Sequence, residues 1–325
     1  MSTRDRVVAA VLSLALAAPF AQDFANATPA SLAGTASTVR DESLEAPPAA
    51  ETFTVGTLRV QRYGHHGRPL ILVPPTEGGS WVWRREIERF RRDHVIYAVT
   101  LAGFDDVPAP KHRSGLFDQA DASLARLVKS RHIEKPVLIG HSLGGGVSIR
   151  FAELHPTLIS GVISVDAPPI FPGMEDATPA EREAFAKQFS ESIARPTPQQ
   201  RKAQQVEEMR QSMLDPVMAV RYAALNSRSD QTIVAQYMRE APTMDLRPGL
   251  KNIRVPVLLI SPYYAPDYNK PPMQFTEAGK AEHYKNLLAG ARDAQVLSIS
   301  PSRHYAMFDQ PEKLDAAIED FIERL

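Results

Sequence analysis

Apolar runs alternate with amphipathic stretches along most of the chain after residue 51. Predominantly apolar runs occur at residues 69–73, 94–100, 137–139, 161–167 and 255–260, and a further strand is predicted at 294–300. Runs of this kind predict strands that are buried on both faces, and most of the stretches between them have helical spacing. Because strands separated by helices are joined by crossovers, the pattern predicts a mostly parallel sheet. Residues 52–63 alternate apolar and polar instead, which predicts an antiparallel hairpin.

The pattern changes between residues 168 and 249. Residues 179–240 contain no strand-like run and carry Glu, Gln, Arg, Ala and Met in helical proportions, with breaks at prolines. We therefore predict three or four helices that form a cap, inserted as residues 168–249. The α/β core then consists of residues 51–167 and 250–325.

The first fifty residues differ in composition from the rest. Two arginines precede an apolar run at residues 7–20, and Ala-Asn-Ala follows at 25–27. This order is typical of a signal peptide, and the run is shorter than the ~20 residues needed to span a membrane. We predict a signal peptide over residues 1–27, a flexible leader over 28–50, and a secreted or periplasmic mature chain without an integral membrane segment.

Composition and charge exclude several classes of function. The 325 residues carry a formal net charge of −1 and no cysteine. A balanced charge gives no reason to expect nucleic acid as a partner, and the missing cysteines exclude disulfides, thiolate metal sites and cysteine nucleophiles. The adjacent His65 and His66 lack a third ligand nearby in sequence, so we interpret them as part of a solvated loop. No phosphate-binding or dinucleotide motif is present, and we expect no cofactor or metal.

One motif carries the candidate chemistry. Gly-His-Ser-Leu-Gly occupies residues 140–144, directly after an apolar run and directly before a helical stretch. This context predicts a nucleophile elbow, a sharp turn that exposes the Ser142 hydroxyl. The Leu143 amide would lie at the helix N-terminus, where it lacks an intrahelical acceptor and favours negative charge. The turn therefore predicts a nucleophile and one oxyanion donor. The alternative is a glycine-rich turn in which the serine has no catalytic role.

With this motif, the strands around it and a histidine after the last strand, the chain resembles the α/β-hydrolase-fold enzymes over residues 52–325. The resemblance implies a mostly parallel sheet with helices on both faces and a helical cap. It also implies the chain order nucleophile, acid, histidine, which Ser142 and His304 fit as nucleophile and general base. Because dehalogenases and epoxide hydrolases of this fold carry aspartate at the elbow, Ser142 favours hydrolysis through an acyl-serine.

The resemblance leaves the acid open between two aspartates. Asp267 lies beyond the strand of residues 257–260, in the loop that usually bears the acid, and is the favoured candidate. Asp166 ends the preceding strand, a position that some branches use instead. The second oxyanion donor is expected to be the Thr76 amide, because Pro75 has no N–H. Related enzymes commonly have His-Gly in this loop, so the sequence departs from the family pattern there.

These features predict a serine hydrolase that cleaves a carboxylic ester, thioester or lactone of a small molecule. Aromatic and methionine side chains are expected at the mouth of the site, which favours an apolar or aromatic substrate group. They are Trp81, Trp83, Phe104, Phe171, Tyr263, Tyr264, Tyr268, Met209, Met213 and Met218. The alternatives are a small-peptide or amide hydrolase on the same scaffold and a binding protein that kept the fold without the activity.

Overall fold

The computed structural model describes residues 44–270 and 273–325. Eight strands form one sheet: β1 (Glu51–Val55), β2 (Leu58–Tyr63), β3 (Pro69–Val73), β4 (Val95–Thr100), β5 (Val137–His141), β6 (Gly161–Val165), β7 (Val257–Pro262) and β10 (Ala294–Ile299). A separate hairpin consists of β8 (Asn269–Lys270) and β9 (Met273–Gln274). The sheet order is β1-β2-β4-β3-β5-β6-β7-β10. Strand β2 pairs antiparallel with β1 and β4, and every other neighbouring pair is parallel.

Helices cover both faces of the sheet. They are α1 (Arg84–Phe90), α2 (Leu116–Ser130), α3 (Leu143–Leu154), α4 (Pro179–Ala194), α5 (Pro198–Ser212), α6 (Pro216–Asn226), α7 (Gln231–Glu240), α8 (Ala265–Tyr268), α9 (Glu277–Leu287), α10 (Ala306–Asp309) and α11 (Pro311–Glu323). Successive β3 residues alternate between two cores, because side chains along a strand point to opposite faces. Ile71 lies in the core that contains α2 and α3, and Leu72 in the core that contains α1 and α11. The predicted α/β-hydrolase fold class is confirmed.

The four helices α4 to α7 lie between β6 and β7 in the chain. Each begins with a capping residue, and proline occupies the first turn of α4, α5 and α6. Helix α4 packs against α7, and α5 packs against α6. Aromatic contacts fix both pairs to the core: Tyr222 of α6 stacks on Trp81, and Tyr237 of α7 contacts Phe104. Trp81 and Phe104 are thus fully buried packing residues rather than residues at the mouth of a site.

Some elements differ from the sequence prediction. The helix expected over residues 81–90 is divided into a 3₁₀ turn at Ser80–Trp83 and the helix α1. The hairpin β8–β9 and the helices α8 and α10 were not expected, since segments of two to four residues are too short to show a period.

The predicted signal peptide, and residues 28–43 of the predicted leader, lie outside the described residues. In the part of the chain that the structure describes, no helix has both the length and the apolar character needed to cross a membrane.

Candidate active site

Ser142 lies in the sharp turn between β5 and α3, with φ 53° and ψ −121°. The glycines on either side are required by close backbone packing. A Cβ atom on Gly140 would lie 2.2 Å from the Gly144 carbonyl oxygen, and one on Gly144 would lie 2.3 Å from the Val73 carbonyl oxygen. The first α3 residues therefore pack against the carboxyl end of β3, which brings the elbow beside the loop that carries Thr76.

The structure pairs His304 with the aspartate at the end of β6. Asp166 Oδ2 lies 2.7 Å from His304 Nδ1. Lys280 Nζ and the Tyr284 hydroxyl, both from α9, donate to the other carboxylate oxygen at 3.2 and 3.1 Å. Both oxygens of Asp166 thus have hydrogen-bond partners, and its partner Lys280 is buried.

The charges around Asp166 keep it ionised. Burial alone would raise the pKa of this carboxyl, but the Lys280 ammonium and the hydrogen bond to His304 outweigh burial and hold the pKa well below its usual range. Burial likewise disfavours the charged form of Lys280, yet the neighbouring Asp166 raises the pKa of the ammonium group above its ordinary value. A permanent carboxylate therefore faces His304 Nδ1.

Asp267 lies elsewhere, and the sequence prediction must be corrected. Its carboxylate accepts hydrogen bonds from Arg303 Nε and Nη2 at 2.9 and 3.1 Å, and its side chain is 34% exposed. The segment after β7 continues into α8 before it reaches Asp267, which carries the carboxylate away from the imidazole. The carboxylate on His304 is that of Asp166, the less favoured of the two candidates.

A second histidine supports the loop of the first. His141 Nε2 lies 2.9 Å from the His304 carbonyl oxygen, and the two rings are 4.5 Å apart. Burial lowers the pKa of His141 well below its usual value, so its ring is neutral and donates one proton to this carbonyl. The Tyr305 amide donates to the Ser212 carbonyl oxygen at 3.0 Å, which ties the same loop to α5.

Ser142 and His304 line two cavities, which also share Thr76. The first, of about 370 Å³, is mostly apolar and includes Ile170, Phe171, Met238, Met244 and Leu246. The second, of about 260 Å³, includes Glu77, Arg201, Glu207, Glu208 and Asn226. Within residues 44–270 and 273–325, no hydrogen bond joins the Ser142 hydroxyl to the His304 imidazole. The two residues instead line the same two cavities.

The two predicted oxyanion donors lie beside this space. Thr76 lines both cavities, and Leu143 lines the apolar one at the N-terminus of α3. Neither backbone amide donates a hydrogen bond to any of the described groups. Both amides are therefore free to bind an oxygen that carries negative charge.

The sequence prediction missed the residues that support the site from outside the motif. Lys280 and Tyr284 share the buried side of α9, and Glu77 forms a buried ion pair with Arg201 of α5 at 3.0 Å. The sequence offered one indication of the role of Lys280 and Tyr284: a lysine lies four residues before a tyrosine, which places both on the same side of a helix. Among the described residues, no group of three or more histidine, aspartate or glutamate side chains is arranged to hold a metal ion.

A family model described as the alpha/beta hydrolase family matches residues 65–317. The chain belongs to this family. The match includes Ser142, Asp166 and His304.

Individual relatives are distant. A hydrolase from Pseudomonas aeruginosa has a TM-score of 0.69 at 16% identity, with 84% of this chain and 99% of that chain covered. An esterase from Thermogutta terrifontis has a TM-score of 0.67 at 18% identity, with 85% and 99% covered. Mouse epoxide hydrolase 4 is 29% identical over 107 residues, which are 32% of this chain and 30% of that protein. The structural likeness shows the shared fold, and the match to the mouse protein spans under a third of its length.

Proposed function

We propose that this protein is a serine hydrolase that cleaves a carboxylic ester, thioester or lactone through an acyl-serine intermediate. Ser142 is the nucleophile, His304 the general base and then the general acid, and Asp166 the carboxylate that orients the imidazole. The observation that carries this proposal is the 2.7 Å contact between Asp166 and His304 beside a cavity that Ser142 also lines.

The proposed reaction has two stages. As Ser142 Oγ attacks the substrate carbonyl carbon, its proton passes to His304 Nε2, and the Asp166 carboxylate stabilises the resulting imidazolium through Nδ1. The negative charge on the carbonyl oxygen is bound by the Leu143 and Thr76 amides. His304 then returns the proton to the leaving oxygen or sulfur, and a water molecule releases the acyl group by the same steps in reverse.

The comparisons support hydrolysis without specifying its substrate. The Thermogutta terrifontis protein of the same fold is described as an esterase, which agrees with the proposal. The partial similarity to mouse epoxide hydrolase 4 suggests another electrophile. We favour the ester because the elbow residue is a serine, whose hydroxyl suits acyl transfer with a histidine base.

Active-site labelling and a substrate panel test this function. Wild-type protein should react with a fluorophosphonate probe and hydrolyse short p-nitrophenyl esters. Ser142→Ala should abolish labelling and lower turnover by up to roughly 10⁶-fold. The matched control is Ser192→Ala, because Ser192 lines the cavity that contains Arg201 but has no proposed role. Undiminished labelling of Ser142→Ala, or turnover of only aminoacyl anilides or epoxides, would contradict the proposal.

We also propose that the mature protein is secreted or periplasmic, on the basis of the N-terminal residues alone. Expression of the full chain in a bacterial host, followed by cell fractionation and N-terminal sequencing, tests this. The expected result is an exported protein that begins near Thr28. A cytoplasmic protein that retains residue 1 would contradict it.

A further inference from the structure

The cavity that contains Arg201, here called the polar cavity, differs chemically from the apolar cavity, with which it shares Ser142, His304 and Thr76. Apart from His304, its ionisable lining side chains are Glu77, Arg201, Glu207 and Glu208. The apolar cavity has hydrocarbon and aromatic walls, with Asp166 as its charged residue apart from His304. A substrate whose reacting carbonyl lies at Ser142 can therefore extend one arm into each environment.

The one guanidinium in the polar cavity is already occupied by carboxylates. Arg201 Nη1 donates to Glu208 at 2.7 Å, and Nη2 donates to Glu77 at 3.0 Å and to Glu208 at 3.1 Å. Its side chain is 8% exposed, so it cannot turn toward a ligand without breaking these bonds. An anionic ligand would thus find no free cation here among the described lining residues.

The remaining polar groups favour a hydrogen-bond donor that carries positive charge. Burial raises the pKa of Glu77, but Glu207 and Glu208 alone outnumber the one guanidinium, so the lining has an excess of negative charge. Glu207 is exposed and is not paired with a cation among the described residues; it accepts a hydrogen bond only from Gln211. A cation near such a carboxylate is stabilised by direct attraction and by a charge-assisted hydrogen bond.

Asn226 provides an independent observation. It is 4% exposed and lines the polar cavity, and its side-chain oxygen is buried without a hydrogen-bond partner among the described residues. A buried carbonyl oxygen without a partner is costly, because it loses its hydrogen bonds to water without replacing them. A ligand N–H group that reaches this oxygen would satisfy it.

We propose that the polar cavity is a subsite for a protonated amine. The preferred substrate then has an apolar group on one side of its scissile bond and an ammonium-bearing group on the other. Glu207 and Asn226 are the specificity-determining residues. This inference rests on the proposed ester hydrolysis for its catalytic readout, but its binding readout does not depend on turnover.

Matched esters test the subsite from both directions. The first series is dimethylaminoethyl, propyl and carboxymethyl butanoate, which differ only in the alcohol. The second is the propyl esters of dimethylaminobutanoic, hexanoic and glutaric acid, which differ only in the acyl group. In one of the two series, we expect kcat/KM for the ammonium ester to exceed that for the carboxylate ester by roughly 10-fold or more.

Variants of Glu207 connect this preference to the polar cavity. Glu207→Gln should lower the ratio of ammonium to carboxylate turnover several-fold, and Glu207→Lys should reverse the preference. The kcat/KM for the neutral ester is measured with each protein and is the reference to which both charged esters are normalised. The control is Glu191→Gln on α4, because Glu191 pairs with Arg195 and does not line the cavity. An unchanged ratio in Glu207→Lys would overturn the proposal.

Binding separates the failure of this inference from the failure of the proposed function. Calorimetry with Ser142→Ala should show tighter binding of dimethylhexylammonium than of hexanoate, and Glu207→Lys in the same background should remove the difference. Equal or tighter binding of hexanoate would overturn the subsite even if esters are hydrolysed. Tighter ammonium binding without any Ser142-dependent turnover would support the subsite and reject the ester reaction.

Discussion

Two neighbouring strand ends of the sheet each carry an aspartate, and the two carboxylates have very different surroundings. Asp166 directly follows β6 and lies between Lys280, Tyr284 and His304. Asp267 lies beyond β7 in α8, where it pairs with Arg303 at the surface. A strand end fixes the direction of the next residue, whereas a loop of several residues can take a side chain to another part of the surface.

The comparison also shows what the surroundings do to a carboxylate. The surface pair of Asp267 and Arg303 is screened by water, and such pairs contribute little to stability. Asp166 is stabilised as an anion because a cation and two donors compensate for the water it lost on burial. Only the second arrangement holds a charge at a fixed place beside an imidazole, which is what general-base catalysis needs.

Among the variants that test this comparison, Asp166→Asn should have the largest effect. An asparagine amide cannot stabilise the imidazolium and favours the wrong tautomer of His304, so we expect kcat for ester hydrolysis to fall by roughly 10⁴-fold. Steady-state kinetics of the purified variant measures this. Because the substitution leaves the Lys280 ammonium without its carboxylate, circular dichroism at the assay temperature must first establish that the variant is folded. Retention of more than a tenth of wild-type kcat would contradict the assigned role.

Lys280→Met removes the buried cation and tests why Asp166 is charged. An unpaired buried carboxylate costs about 3–5 kcal/mol, so we expect a corresponding loss in the free energy of unfolding at neutral pH. The lowered pKa of Asp166 adds stability that is present above its unfolded pKa near 3.8 and is lost as the pH falls. Because Lys280→Met removes the cation that lowers this pKa, the loss of stability relative to the wild type should be largest at neutral pH and should shrink as the pH falls toward 3.

Chemical denaturation from pH 3 to pH 8 measures both effects. The matched control is Lys285→Met, since Lys285 lies on the same helix but is 68% exposed. We expect its stability curve to follow the wild type. If Lys280→Met and Lys285→Met have equal stabilities across this range, the ion pair does not have the importance assigned to it.

Glu86 is a third carboxyl group to compare with Asp166 and Asp267, because it is buried and no cation in the described part of the chain donates a hydrogen bond to it. The variant Glu86→Gln tests the effect of that burial. Both oxygens of Glu86 are buried without a partner among the described residues. Burial and the nearby Asp315 raise the pKa of Glu86 to about 8. The folded state therefore holds a proton that the unfolded state loses, and stability falls as the pH rises from 4.5 through about 8.

Glutamine is neutral at every pH, so Glu86→Gln should raise the Tm at pH 8.5 and change it less at pH 5. Thermal unfolding at the two pH values checks this, with Glu88→Gln on the exposed side of α1 as the control. A stabilisation that is equal at both pH values would show that the effect is unrelated to this titration.

The smallest expected effect belongs to Asp267→Asn. Because an exposed pair with arginine contributes about 0–1 kcal/mol, we expect a change in kcat/KM of less than about threefold and little change in stability. The assay is the one used for Asp166→Asn, so each variant is the control for the other. A loss with Asp267→Asn that matches the loss with Asp166→Asn would remove the distinction between the two strand ends.

Local features of the sequence predicted the fold and part of the site. The elbow at Ser142 depends on glycines two residues to either side, and the parallel strands depend on apolar runs, so both could be recognised from adjacent residues. The choice of Asp166 depends on Lys280, more than a hundred positions away, and on the path of the loop before Asp267. Neither the contact with Lys280 nor the path of that loop can be recognised from the spacing of residues in the sequence.

The cap helices illustrate the same limit. Their number and their capping residues follow from local composition, and the helices were expected on that basis. The prediction that seven aromatic side chains lie at the mouth of the active site was mostly wrong. Trp81, Trp83 and Phe104 are buried. Of the seven, only Phe171 lines either of the two cavities described around Ser142. Helical spacing shows that a side chain is buried, but not whether it packs against protein or faces a ligand.

The ion pair between Glu77 and Arg201 joins the loop of Thr76 to α5 of the cap, with Gln205 donating to the same carboxylate at 2.9 Å. This has a consequence for engineering. A cap transplanted from another family member must supply a guanidinium at this place, or Glu77 must be exchanged for a neutral residue in the same step. Otherwise the chimaera would leave a buried carboxyl group without its cation next to the residue proposed to bind the reacting oxygen.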